Sequence, residues 1–129
     1  VRPGVLNNLA FATALAGDPE KGCRLAEEAL AEAGEDPTYP EEKLATLRGT
    51  HGVALSLAGR HEEAVPRLEL SLDQPGPRSI ATNAFHLGVS LWALGRREEA
   101  RHAWEIGARQ TGRFAERSRD ELLVRGEVA

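Results

Sequence analysis

Leu57-Ala58-Gly59-Arg60-His61-Glu62-Glu63-Ala64 is the stretch that decides the fold, because a version of it occurs three times. Leu15-Ala16-Gly17-Asp18-Pro19-Glu20-Lys21 precedes it and Leu94-Gly95-Arg96-Arg97-Glu98-Glu99-Ala100 follows it. Gly17, Gly59 and Gly95 therefore recur at intervals of 42 and 36 residues. Each copy reads as the end of one helix and the start of the next. A Gly takes the left-handed position that terminates a helix. A polar residue turns the chain, and acidic residues in the next first turn complement the helix dipole. In the first copy Asp18 is placed as N-cap and Pro19 at the first helical position.

Working outward, apolar and small residues recur at helical spacing on both sides of each junction. The first helices carry Leu6, Leu9, Ala10 and Thr13, then Leu47, His51, Ala54 and Leu55, then Ala84, Leu87, Gly88 and Leu91. The second helices carry Cys23, Ala26, Ala29 and Leu30, then Ala64, Leu68 and Leu72, then Ala100, Ala103, Trp104 and Gly107. The pattern predicts helices over residues 3–16, 19–33, 41–58, 61–73, 78–94 and 97–110, and a seventh from Arg113 to about Leu123 or Arg125. Pro-containing linkers, Gly34–Pro40 and Asp73–Pro77, separate the three hairpins. Pro66 falls inside the fourth helix, where a kink or a late start is expected.

Composition agrees. Of 129 residues, 20 are Ala and 17 Leu, against two Ile and 5% aromatics, a balance that favours helix over a sandwich or barrel. The net charge of −4 and the interleaved signs show no basic stripe of the kind that marks nucleic-acid binding. No apolar run nears the roughly 20 residues of a membrane span, and direct membrane insertion is not expected. One cysteine, Cys23, makes no intrachain disulfide and fits a reducing, cytoplasmic setting, with a periplasmic one left open. The sequence lacks Met even at position 1, so Val1 reads as a cut end and the chain as a piece of a longer protein.

Aligned on the turn Gly, the units resemble the tetratricopeptide repeat family. The third matches through Leu87-Gly88, Leu91, Ala100, Trp104 and Gly107, and the second through Gly52, Leu55, Ala64, Leu68 and Ser71. The first keeps Leu9-Ala10 and Ala29, with Gly22 where Ala is usual. Its Asn7-Asn8-Leu9-Ala10-Phe11 string is similar to bacterial repeats of this kind. Units one and two lack the early large aromatic, and the closing Pro is displaced to Pro37, Pro75 and Pro77. The resemblance spans residues 3–112. It implies an all-α, right-handed superhelix of three antiparallel helix-turn-helix repeats (about 3–37, 41–75 and 78–112) plus a C-terminal capping helix. The whole is read as one domain, a non-enzymatic protein-binding scaffold.

In such an array the first helix of each unit lines the concave side. The inner stripe is then Asn7, Phe11 and Ala14 in the first unit, and Thr46, Gly49, Thr50, Val53 and Ser56 in the second. In the third it is Thr82, Phe85, Val89 and Trp92, with His86 at the edge. The expected partner groove is thus apolar and neutral, built from Asn7, Phe11, Thr50, Val53, Phe85, His86, Val89 and Trp92. It would take a protein or peptide. Phe85 and Trp92 fit equally well as packing for the terminal helix or a neighbouring chain. Some relatives hold a peptide's terminal carboxylate with a Lys/Asn/Arg set on this face. Asn7, Phe11, Thr50, Thr82 and His86 stand at those positions, so that mode is not expected.

Catalytic patterns are weak. His61-Glu62-Glu63-Ala64 has Val65 where a zinc-protease helix needs its second His. The four His are scattered, and His51 reads as a satisfied core histidine. There is no phosphate-binding loop and no nucleophile elbow. Neither a metal nor a cofactor is expected. Three readings follow: a peptide-binding scaffold, the non-catalytic repeat region of a multidomain peptidase, glycosyltransferase or transcription regulator, and a self-associating array forming homo-oligomers.

Overall fold

The computed structural model describes residues 2–73 and 79–126, and among them every regular element is a helix. They run α1 (Arg2–Leu15), α2 (Pro19–Gly34), α3 (Glu41–Leu57), α4 (His61–Asp73), α5 (Ile80–Ala93), α6 (Arg97–Ala108) and α7 (Arg113–Gly126). Among the described residues, no helix is long and apolar enough to cross a membrane. The Gln74–Pro77 part of the second linker lies outside the described residues, as does the boundary between the second and third units.

The three Gly junctions are built alike. Gly17, Gly59 and Gly95 have φ of 112°, 79° and 81°, which only Gly adopts without strain. In each, the Gly N–H donates to the carbonyl three residues back (Ala14, Ser56, Trp92). The following N–H donates five back (Asp18 to Thr13, Arg60 to Leu55, Arg96 to Leu91). This double closure satisfies the orphan carbonyls at the helix end. The same Asp18, Arg60 and Arg96 then accept from Gly22, Ala64 and Ala100, opening the next helix with no spare residue. Asp18 Oδ1 also caps Lys21 N at 3.2 Å, while Arg60 and Arg96 pair with Glu63 and Glu99.

So short a turn folds each pair antiparallel. Arg2 at the start of α1 reaches Glu28 and Glu32 near the end of α2. Close crossings fall where side chains are missing. A Cβ on Gly22 would lie 2.8 Å from the Ala14 Cβ, one on Gly52 2.7 Å from Leu68, and one on Gly88 2.3 Å from the Trp104 ring. Each odd helix also packs on the preceding pair: α3 on α1 and α2, α5 on α3 and α4, α7 on α5 and α6. One large apolar cluster joins Ala14, Leu55, Leu68, Phe85, Trp104 and Phe114. A smaller one joins Leu6, Ala29, Ala33 and Leu47.

Three local expectations change. Pro66 sits within a continuous α4, its missing N–H on the exposed face. Leu9, expected on the packing face, is half exposed, on a side of α1 that no described helix covers. The last turns of the third hairpin are shorter than expected, with α5 starting at Ile80 and α6 ending at Ala108. There Arg119 Nε and Nη2 donate to the Ala108 and Gln110 carbonyls and close α6 from outside.

Candidate functional site

The inner stripe divides into a covered half and an open half. α7 lies against α5, and its Phe114 ring sits 5.6 Å from Phe85 and 5.0 Å from His86. Arg117 stacks its guanidinium 4.4 Å above Phe85. Phe85 and His86 are therefore buried rather than presented to a partner. Val53 is equally buried, in the cluster that also holds Phe85 and packs against Phe11 and Val89. Trp92 is half-buried: its ring lies 5.8 Å from Trp104, with Arg97 and Arg125 each 4.9 Å from its face. Val53, Phe85 and His86 thus leave the expected groove. The terminal helix fills the aromatic end, and arginines stack on the rings that remain at its edge.

The polar seam beneath this end is fully organised. Ser90 donates to Ser56 Oγ at 2.7 Å, Ser56 donates to the His86 carbonyl at 3.3 Å, and His61 Nδ1 meets Ser90 Oγ at 2.8 Å. His86 Nδ1 lies 2.8 Å from the Thr82 carbonyl, so this nitrogen carries the proton. Burial pushes the His86 pKa down to about 4, and the nearby Arg117 and Arg113 push the same way. His51 is buried as expected but is not satisfied. Neither ring nitrogen has a hydrogen-bond partner, Glu27 comes no closer than 3.5 Å, and burial lowers its pKa. Burial raises the Cys23 thiol to about 11, which makes it inert at neutral pH.

The open half lies between α1, α3 and the start of α5. A depression of about 210 Å³ is lined by Phe11, Thr46, Thr50, Thr82 and Asn83. It shares Thr46 with a second of about 370 Å³, bordered by Asn7, Asn8, Tyr39, Lys43 and Leu47. Asn7 Oδ1 is buried there without a hydrogen-bond partner. Asn7, Phe11 and Thr50 thus line two adjoining depressions, and neither depression is lined by Val89 or Trp92. Lys43 and Tyr39 escaped the sequence reading. The signal was present for Lys43, which continues the Thr46 and Thr50 face one turn earlier. For Tyr39 it was absent, because a linker residue has no helical register. Among the described residues, no group of three His, Cys, Asp or Glu side chains is placed to hold a metal.

No family model matches the chain, and no curated protein or solved structure does either.

Proposed function

We propose that the chain is a tetratricopeptide-type repeat module that binds an extended peptide segment of a partner protein, without catalysing a reaction. The reading rests on one observation: two depressions meet at Thr46 and form a single surface lined from α1, α3 and α5. Its chemistry suits a main chain more than a charged group. Thr46, Thr50 and Thr82 offer hydroxyls, Asn7 and Asn8 border the same surface, and Phe11 supplies an apolar floor.

The test is selection of a displayed random-peptide library against the chain, repeated with Phe11→Glu and with Trp92→Ala. Selected peptides should lose binding to Phe11→Glu and keep it with Trp92→Ala. Peptides that ignore Phe11→Glu, or an empty selection, would refute the groove.

A further inference from the structure

We propose that the cleft between α4 and α6, over α5, binds an arginine side chain presented by a partner protein. The inference starts from equivalent places in successive units. Counting from the turn Gly, Glu27, His51, Leu55, Arg67 and Leu70 around a first inter-unit cleft correspond to Glu69, Leu87, Leu91, Ala103 and Ile106 around a second. The first lies between α2 and α4 over α3, the second between α4 and α6 over α5. In the first cleft the acid has basic side chains beside it. Glu27 lies 3.5 Å from His51 Nε2, and the Arg67 charge acts on the same ring. In the second both are replaced, His51 by Leu87 and Arg67 by Ala103. What remains is a depression of about 310 Å³, with Leu87, Leu91, Ala103 and Ile106 as its apolar wall and Glu69 at its rim.

Charge and shape identify the occupant. Glu69 is exposed and, among the described residues, makes no hydrogen bond or ion pair. Arg96, whose charge senses Glu69, is held by Glu99, and Arg101 is held by Glu98. The cation that answers Glu69 therefore comes from outside. The apolar wall asks for hydrocarbon beneath that charge. Arginine carries both: an aliphatic stem that lies along apolar surface, and a planar fork that meets a carboxylate with two parallel N–H donors. The volume is at the lower end of the roughly 300–1,000 Å³ of ligand pockets, which fits one long side chain. In effect the partner supplies to the second cleft what Arg67 supplies to the first. None of the lining residues borders the depressions on α1 and α3, so this site is separate from the peptide groove.

Magnetic-resonance titration of the isotope-labelled 129-residue chain with acetyl-Leu-Arg-Leu-amide tests this. The control is the same tripeptide with citrulline for arginine, which keeps the shape and loses the charge. Backbone amides of Glu69, Glu99, His102 and Ile106 should shift and saturate, and those of Phe11 and Thr50 should stay in place. Replacing arginine by citrulline, or Glu69→Gln on the exposed rim, should each weaken binding about fivefold. Ala103→Arg, which copies the first cleft, should abolish the response, with unchanged helical circular dichroism confirming its fold. No saturable shift at the cleft, shifts confined to Phe11 and Thr50, equal binding of the citrulline peptide, or full affinity in Glu69→Gln would each overturn the proposal.

Discussion

Gly88→Ala isolates the close approach of α5 and α6. On an exposed helix this change stabilises by about 1 kcal/mol, because Ala is the better helix former. At position 88 the added Cβ would lie 2.3, 2.5 and 2.6 Å from three atoms of the Trp104 indole. Carbon pairs at rest sit near 3.5–4.0 Å, so the ring must retreat by about 1 Å. It has nowhere to go. Trp104 is 1% exposed, its Nε1 donates to the Phe85 carbonyl at 3.1 Å, and the Trp92 ring lies 5.8 Å away. Overpacking at the upper end of its usual range costs about 3 kcal/mol. Breaking the indole bond and leaving a buried N–H adds about 1 kcal/mol. Set against the propensity gain, the net loss is about 3 kcal/mol, or roughly 10 °C in Tm for a chain this size. Urea unfolding followed by far-ultraviolet circular dichroism should show a lower midpoint at unchanged slope. Gly4→Ala is the control: nothing lies within 4 Å of its Cβ, so it should be neutral or slightly stabilising. A Gly88→Ala protein as stable as wild type would refute the crossing and the ring position together.

Other outcomes follow from the same core. His86 is held neutral by burial, with its folded pKa near 4 against an ordinary 6.5. The unfolded chain therefore binds the proton first, and stability present above pH 6.5 is lost as pH falls toward 4, by about 3 kcal/mol. Urea midpoints at pH 7 and pH 4 should diverge in wild type and much less in His86→Leu, with a residual loss from His51, whose pKa is also lowered. Ala100→Leu should cost about 1–3 kcal/mol by overpacking a fully buried crossing, and Trp104→Ala about 3–5 kcal/mol by emptying one. Thermal melts read both, and an unchanged midpoint in either would contradict the placement. Cys23, buried with its thiol near 11, should react with a thiol reagent at neutral pH only after denaturation. Rapid labelling of the native protein would show that α2 opens locally.

Most of the helical framework was legible because its signals are local. A Gly that must adopt positive φ, an acidic first turn and 3,4-spaced apolar residues depend only on neighbours within a turn or two. Gly17, Gly59 and Gly95 behave as their sequence context requires. The candidate site was legible only in part, because burial of an inner-stripe residue depends on what lies across from it. The same helical offset carries Phe11, half-buried at the edge of an open depression, and Val53, sealed in the core. Periodicity assigns a face to each but says nothing of what covers that face.

The sequence by itself determined that this chain is helical, where each hairpin turns, and where small residues let helices cross. Each of these follows from backbone sterics and from hydrogen bonds closed within five residues. Only the tertiary structure decided that α7 folds back over Phe85 and His86, and that the open surface moves to Asn7, Phe11, Thr46 and Thr50. The physical reason is that solvent exposure belongs to pairs of surfaces. A residue's own pattern fixes its direction on the helix, whereas its covering is supplied by side chains on other helices.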